Sequence, residues 1–183
     1  QSGDFGKVGG NAWLFRKIIM DSSLQLERDL ASRLRVDALF ANYIHCIDED
    51  RLEDWPDFFT KDARYHIITR ENYDLNLPVA LIYCDGRGMF EDRISALREA
   101  NIFEPHVYCH MVSAIKIIDS NKDETRTQSN FTVTRTMPDG EMTTFLCGKT
   151  LDTIKEVDGE LKFKERKVIL DSRRIDTLLV IPV

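Results

Sequence analysis

The chain has 183 residues, of which 43% are hydrophobic and 31% are charged, and its net charge is −6 at pH 7. This length fits one domain with one substantial core. The acidic balance argues against a nucleic-acid-binding protein, because neutralising phosphates requires clustered Lys and Arg side chains. The densest basic stretch, Lys162 to Lys167, is broken by Glu165, so we interpret it as the solvated face of a strand.

The first nineteen residues differ from the rest of the chain. Residues 1–10 are glycine-rich and aperiodic, and residues 11–19 contain an apolar patch too short for a membrane span. Met20 precedes Asp21-Ser22-Ser23, residue types typical of a helix N-cap. We therefore expect residues 1–19 to be a non-native or disordered extension and residues 20–183 to form a single domain.

Helices are predicted first. From about Leu24 to Ile47, apolar residues recur at three- and four-residue spacing, which predicts an amphipathic helix. A short second helix is predicted through Leu52 and Trp55, ending before Pro56.

The middle of the chain alternates between strands and one further helix. Residues 64–69 and 79–84 are short, β-branched and aromatic, and predict strands, with a loop at 72–78 between them. A helix is predicted over residues 89–100.

The last third predicts a sheet. Residues 107–118 are apolar at nearly every position, which predicts a central strand covered on both faces. Strands over 125–137, 141–156 and 160–171 are joined by Pro138-Asp139-Gly140 and by Asp158-Gly159, both turn sequences. In the last strand the apolar phase changes between Phe163 and Val168, which predicts a bulge.

The order of elements, helices followed by a long antiparallel meander, predicts an α+β fold. A bent antiparallel sheet wrapped around the N-terminal helices would enclose an interior cavity. On this interpretation Tyr43, Tyr65 and His66 are the candidate cavity residues.

Motifs for nucleotide, phosphate, acyl-transfer or zinc-protease chemistry are absent from the sequence. His106 and His110 stand four apart, but in a strand that spacing spans about 13 Å. Two histidines so placed cannot share an ion at metal–nitrogen distances of about 2 Å. We expect no metal site and favour interface contacts, or pairing with buried carboxylates, for both.

Charged residues mark the predicted helix at 89–100. Asp92, Arg93 and Arg98 form either a solvated face with intrahelical pairs or a contact with another subunit. The four cysteines, Cys46, Cys84, Cys109 and Cys147, are widely spaced, and no segment resembles a secretory signal. They predict free buried thiols and a cytoplasmic protein.

Three stretches carry a family resemblance: 55–65 (WPDFFTKDARY), 92–98 (DRISALR, leading to His106 and His110) and 165–172 (ERKVILDS). In this order they resemble the β subunits of Rieske-type aromatic-ring-hydroxylating oxygenases, over about Leu34 to Val183. Within that family the run from Asp92 to Asn101 is similar to the branch acting on carboxylated aromatics, including salicylate 5-hydroxylase and terephthalate dioxygenase small subunits. Between these substrates we favour salicylate.

The resemblance implies a cone-shaped fold like those of nuclear transport factor 2 and scytalone dehydratase. It also implies a hexamer of three large and three small subunits, without catalytic residues in this chain. The large subunit would carry a Rieske [2Fe-2S] cluster and a mononuclear iron, with NAD(P)H supplying electrons through a reductase and ferredoxin. The paired C-x-H and C-x-x-H ligands of a Rieske site are absent from this sequence.

Two alternatives stay open at this point. The chain could be a cone-fold isomerase or dehydratase using Tyr43, Tyr65, His66 and His110, since such sites combine a His or carboxylate base with Tyr donors. It could also be a stand-alone ligand-binding module. Bulky side chains filling the interior would favour the structural subunit.

Overall fold

The computed structural model describes residues 9–100, 104–173, 179 and 181–183, with the side chains described from residue 17 onward. By its contacts the chain divides into two units, Gln1–Val36 and Asp37–Val183. The helix α1 (Gly9–Asp48) supplies all of the described part of the first unit and the beginning of the second.

Within the first unit, α1 continues through the position where we expected a start. Neither Gly nor Pro occurs between Asn11 and Asp48, so nothing in the sequence interrupts the helix. The hydroxyls of Ser22 and Ser23 donate back to the carbonyls of Ile18 and Met20, so they do not cap a helix start. Of the expected extension, residues 1–8 lie outside the described residues, and its non-native origin stays a prediction.

The second unit contains a six-stranded sheet in the order β2-β1-β6-β5-β4-β3. The strands are β1 (Phe59–Thr69), β2 (Ile82–Asp85), β3 (Val107–Ser120), β4 (Thr125–Thr136), β5 (Met142–Val157) and β6 (Glu160–Leu170). Strands β3 to β6 form the predicted meander. Asp158 and Gly159 both have positive φ, 53° and 84°, as a two-residue hairpin turn of type I′ requires.

One strand pair corrects the expectation of a fully antiparallel sheet. β1 and β6 are paired in parallel, whereas the other four pairings are antiparallel. Strands linked by a hairpin must reverse direction, but β1 and β6 are separated by about half of the chain and are free to run the same way.

The predicted bulge in the last strand is confirmed. Thr153 lies opposite Glu165 and the next residue, Ile154, lies opposite Phe163, so Lys164 is the extra residue in β6. A bulge at this point bends the sheet and changes which residues face inward.

The position of β3 corrects a second expectation. We predicted a central strand covered on both faces, but β3 is the edge strand beyond β4. Val107, Met111 and Ile118 are more than half exposed. Apolar content alone does not distinguish a buried strand from an edge strand with an uncovered face.

Shorter helices complete the described part of the second unit. A 3₁₀ helix (Leu52–Phe58) follows α1, α2 (Arg70–Asp74) occupies part of the predicted loop, and α3 (Arg87–Glu99) begins two residues before the predicted start. The Thr69 hydroxyl accepts a hydrogen bond from the Asn72 backbone N–H and caps α2. The predicted α+β class, with a curved sheet packed on the helix, is confirmed for the second unit.

Candidate functional site

The interior of the second unit is filled by aromatic side chains. Trp55 is completely buried, and its ring centroid lies 5.3 Å from that of Phe59, 5.2 Å from that of Tyr65 and 4.9 Å from that of Phe90. Phe59 and Tyr65 point inward from β1, and Trp55 and Phe90 come from the segments Leu52–Phe58 and Arg87–Glu99 that pack against it. The interior of the second unit therefore contains closely packed aromatic rings.

Two predicted cavity residues converge on one backbone group. The Tyr43 hydroxyl donates a hydrogen bond to the Val183 carbonyl oxygen at 2.9 Å, and the Tyr65 hydroxyl donates to the same oxygen at 3.0 Å. Tyr65 also accepts from the Val183 N–H at 2.9 Å, and the Trp55 indole donates to the Tyr43 hydroxyl at 3.1 Å. Burial raises the pKa of both phenols, so both remain protonated donors near neutral pH.

His66, the third predicted cavity residue, lies on the opposite face of β1 from Tyr65. It stacks on Tyr83 with ring centroids 4.8 Å apart and lines an outer pocket of about 290 Å³ together with Tyr73, Leu77 and other residues of the α2–β2 segment. Successive strand residues point to opposite faces, so the expectation that both Tyr65 and His66 face inward was wrong for His66.

A buried ion pair was not predicted. Arg166 Nη1 donates to Asp152 Oδ1 at 3.2 Å, and the two side chains are 3% and 0% exposed. Burial raises the pKa of Asp152, and Arg166 counters part of that rise. Burial opposes the charge of Arg166, but Asp152 and the neighbouring phenols outweigh it, so the pKa of the guanidinium lies above its ordinary value.

The surroundings of this pair are both polar and aromatic. Thr150 donates to Asp152 Oδ2 at 2.6 Å and is hydrogen-bonded to Ser129. The Arg166 guanidinium lies 4.4 Å from the Tyr43 ring centroid and 4.8 Å from that of Phe163, distances suited to cation–π attraction. We had placed the basic stretch on a solvated face. The predicted phase change implies that Arg166 faces inward, because Arg166 lies two residues before the buried Val168 and alternate residues of a strand share a face.

His110 pairs with a carboxylate, one of the two roles expected for it. Asp48 at the end of α1 accepts from the His110 backbone N–H at 2.9 Å, and its other oxygen lies 2.6 Å from His110 Nδ1. His110 Nε2 is buried without a hydrogen-bond partner among the described residues. This geometry holds the ring in one orientation.

His106 does not approach His110 closely. The Tyr108 ring lies between them, 4.8 Å from the His106 ring and 6.0 Å from the His110 ring. Across the described ranges, no group of three or more His, Cys, Asp or Glu side chains is placed to hold a metal ion. The three residues Asp48, His106 and Tyr108 instead line a pocket of about 310 Å³ with Leu97 and other neighbours.

The arginines of α3 have partners within the chain. Arg98 donates to Asp50 at 2.9 Å and to Glu53 at 2.8 Å, which lowers the pKa of the Glu53 carboxyl. Arg93 donates to the Leu179 carbonyl oxygen at 3.0 Å, whereas Asp92 is exposed. Arg98 therefore clamps α3 to the α1–3₁₀ connection, a role that the sequence did not distinguish from an intersubunit contact.

Two further expectations concern the surface. Cys46 and Cys84 are buried as predicted, but Cys109 and Cys147 are exposed, because Cys109 lies on the outward face of the edge strand β3. In the part of the chain that the structure describes, no helix is long and apolar enough to cross a membrane.

Residues 44–177 match the sequence model of the family described as "Ring hydroxylating beta subunit". The chain is 39% identical over 158 residues to the small subunit of anthranilate 1,2-dioxygenase from Burkholderia cepacia, a match covering 86% of this chain and 98% of the relative. It is 37% identical over 154 residues to subunit beta 2 of the terminal oxygenase component of terephthalate 1,2-dioxygenase from Comamonas sp, covering 84% of this chain and 100% of the relative.

Solved structures agree. A crystal structure assigned as the beta subunit of an aromatic-ring-hydroxylating dioxygenase from Novosphingobium aromaticivorans superposes with a TM-score of 0.78 at 37% identity, covering 85% of this chain and 99% of that one. A structure from the same organism, assigned as a scytalone dehydratase, superposes with a TM-score of 0.63 at 18% identity, covering 80% and 89%. The second likeness concerns the fold alone, and it confirms the cone-shaped architecture implied by the resemblance.

Proposed function

The chain belongs to the ring-hydroxylating beta-subunit family, and from this membership we propose that it is the non-catalytic small subunit of an oxygenase acting on an aromatic carboxylate. The substrate class rests on two relatives whose names specify anthranilate and terephthalate. Salicylate, favoured from the sequence, stays within this class as the finer prediction.

The filled interior is the observation that carries the structural role. Tyr43 and Tyr65, the best candidates for a cone-fold catalyst, already bind the backbone of Val183, and Trp55 and Phe90 occupy the adjacent volume. A catalyst needs a base within reach of a bound substrate, and the tyrosine hydroxyls that such a site would use are already hydrogen-bonded within the chain. The isomerase and ligand-binding alternatives gain no support.

The partner supplies the chemistry in this proposal. A large subunit would carry the Rieske cluster and the mononuclear iron, three large and three small subunits would assemble, and a reductase and ferredoxin would deliver electrons from NAD(P)H. The cytoplasmic location expected from the cysteines belongs to the same proposal. The histidine placement is compatible with this division, because the Tyr108 ring packs against the rings of both His106 and His110.

The contact with the partner would include the exposed side of α3. Asp92 is the best candidate, because it is exposed, whereas Arg93 and Arg98 are engaged within the subunit. His106 borders the same end of the molecule through the pocket that it shares with Leu97. His110, nearly buried against Asp48, would act by holding β3 in position.

The test is reconstitution with the large subunit encoded in the neighbouring reading frame. Co-expressed chains should elute together on size-exclusion chromatography at the mass of three copies of each. Together with reductase and ferredoxin, they should convert an aromatic carboxylate to a hydroxylated product at the expense of NAD(P)H. Product formed by this chain without the large subunit, or failure of the two chains to associate, would contradict the proposal.

A further inference from the structure

The outward face of strands β3, β4 and β5 carries an uncharged surface along part of its length. Successive residues of a strand point to opposite faces, and the strand pairing aligns the outward side chains of these three strands in rows. Three consecutive rows are Val107–Thr136–Met142, Cys109–Thr134–Thr144 and Met111–Thr132–Cys147. We call these nine residues the uncharged face, because none of them is Asp, Glu, Lys, Arg or His, although 31% of the chain is charged.

The same side of the sheet becomes charged beyond these rows. The next row contains Lys149, and the two rows after it contain Lys116 and Arg126. Further along, Arg64 and Glu165 line an open depression of about 510 Å³. Charged residues are depleted at the centre of protein–protein interfaces and return at the rim. The segregation along this sheet has that composition, with the uncharged face as the centre.

The uncharged face is open to solvent in the single chain. Val107, Met111 and Met142 are 61%, 54% and 66% exposed, and Cys109 and Cys147 are exposed as well. Single exposed apolar side chains are common on protein surfaces, but a contiguous group rimmed by polar residues is typical of a contact with another protein.

The uncharged face is too small to join two copies of this chain by itself. Neighbouring strands lie about 4.8 Å apart and residues on one face repeat about every 6.8 Å, so nine side chains cover roughly 300 Å². A stable interface buries about 800 Å² on each partner. An assembly with three small subunits, as proposed above, also cannot pair this face with itself in every copy, because two-fold contacts use copies in pairs.

An adjoining surface supplies further area for a different partner. Val107 belongs to the uncharged face and also lines the pocket of about 310 Å³ to which His106 and Leu97 contribute. The exposed Asp92 lies on α3, the same helix as Leu97. The uncharged face is therefore continuous with the surface proposed above to contact the large subunit.

We propose that the uncharged face is the core of the contact with the large subunit. This inference rests on the proposed function, because it names the surface through which the small subunit joins the oxygenase. Burying an unpaired charge is costly, so the partner's matching surface is apolar and uncharged where it meets Val107, Met111 and Met142. The charged rows around Lys116 and Arg126 lie at the rim of the contact.

Two native cysteines report on this contact. Cys109 and Cys147 lie on the uncharged face, whereas Cys46 and Cys84 are buried. N-ethylmaleimide should modify Cys109 and Cys147 in the isolated chain. Assembly with the large subunit should slow both reactions by more than about tenfold, because only the fraction of molecules with an open face reacts. Peptide mass spectrometry after timed quenching measures the rate at each cysteine.

A Lys122→Cys variant is the matched control for this labelling. Lys122 is exposed in the turn that joins β3 to β4, away from the three rows, so the Lys122→Cys thiol should react equally fast in the isolated chain and in the complex. Equal protection at this position would indicate shielding by the assembly as a whole and would overturn the proposal.

Two arginine substitutions on one strand test the face by a second route. Thr134 is the central residue of the uncharged face, and Gln128 points the same way three rows further along β4, beside Lys116. Thr134→Arg should weaken association with the large subunit by more than about a hundredfold, because it buries an unpaired charge. Gln128→Arg should change the association by less than about threefold. Equal association of the two variants, both with native circular dichroism, would overturn the proposal.

The labelling also separates this inference from the proposed function. Co-elution of the two unmodified subunits with Cys109 and Cys147 still reactive would overturn this inference alone, whereas failure to co-elute would overturn both. A neighbouring small subunit is the rival occupant of the face. The expected result is that both thiols of the isolated chain react at a rate independent of protein concentration. Protection that grows with concentration, accompanied by faster sedimentation, would assign the face to a second copy and overturn the proposal.

Discussion

Asp48 binds His110 through both carboxylate oxygens, one accepting the backbone N–H at 2.9 Å and the other 2.6 Å from Nδ1. The two residues lie 62 positions apart, at the end of α1 and near the start of β3. The edge strand has few buried side chains of its own, and this polar contact joins it to the end of the helix.

Removing the carboxylate should therefore destabilise the fold. Asp48→Ala leaves the His110 N–H and Nδ1 without their acceptor, and a buried unsatisfied group costs about 1–3 kcal/mol. Urea denaturation followed by circular dichroism would measure the loss. Asp54→Ala is the control: Asp54 is 61% exposed in its pair with Arg51, and such exposed pairs contribute about 0–1 kcal/mol. Equal effects of the two substitutions would show that the His110 contact contributes nothing specific.

The buried pair of Arg166 and Asp152 makes a second prediction, through a double-mutant cycle. Arg166→Met leaves a buried carboxylate without its cation and should cost about 3–5 kcal/mol. Adding Asp152→Leu removes the unpaired charge as well, so the double variant should be more stable than Arg166→Met alone. Free energies of unfolding from chemical denaturation give the coupling energy. Additive losses would indicate that the two side chains do not interact.

The position of Arg166 also illustrates which features of the fold can be predicted from the sequence. Local rules located the Asp158-Gly159 turn and the phase change in β6, because turns and bulges depend on neighbouring residues. Applied consistently, the phase change places Arg166 on the face of Phe163 and Val168. We did not draw that conclusion because a charged side chain is rarely buried.

Other features depend on distant parts of the chain and were beyond local rules. Whether β3 is central or an edge strand depends on which strands pair with it, and its apolar composition pointed to the wrong answer. The hydrogen bonds from Tyr43 and Tyr65 to Val183 join residues more than a hundred positions apart, and nothing near Val183 in the sequence predicts these contacts. Tyr43 and Tyr65 were correctly placed in the interior, but their acceptor could not have been named.

His66 should make stability depend on pH in a defined window. Burial lowers its pKa below the ordinary value of 6.5, because desolvation disfavours the imidazolium form. Below pH 6.5 the unfolded chain binds more protons than the folded chain, so the free energy of unfolding falls as the pH falls toward the folded-state pKa. Above pH 6.5 this contribution is fully present.

The substitution that tests this is His66→Gln, which should flatten the decline in stability between about pH 7 and pH 5. His45→Gln is the matched control, because His45 is exposed on α1. Thermal denaturation at half-unit steps of pH would compare the three proteins. An unchanged pH dependence in the His66 variant would contradict a lowered pKa.

Substitutions on α3 distinguish residues that contact another subunit from residues that stabilise this chain. Arg98→Ala removes contacts with Asp50 and Glu53 and should lower the stability of the isolated chain by about 0.5–1 kcal/mol, as expected for a partly exposed network. Asp92→Ala should leave that stability unchanged within about 0.5 kcal/mol. If the exposed side of α3 contacts the large subunit, Asp92→Ala should weaken co-elution of the two subunits. Unchanged co-elution would indicate that the large subunit contacts a different surface of this chain.

The last prediction separates a structural subunit from a catalytic one. If the large subunit performs the chemistry, Tyr65→Phe should lower the stability of this chain by about 1–3 kcal/mol, because the Val183 N–H loses its acceptor. Turnover of the reconstituted oxygenase, normalised to assembled complex by size-exclusion chromatography, should remain nearly unchanged. Tyr83→Phe, which alters an exposed hydroxyl, controls for preparation. A loss of turnover above about a hundredfold in intact complexes would correspond to about 2.7 kcal/mol of transition-state stabilisation. Because turnover is normalised to assembled complex, a defect in assembly could not explain such a loss. The result would make Tyr65 part of the catalytic machinery and overturn the structural role.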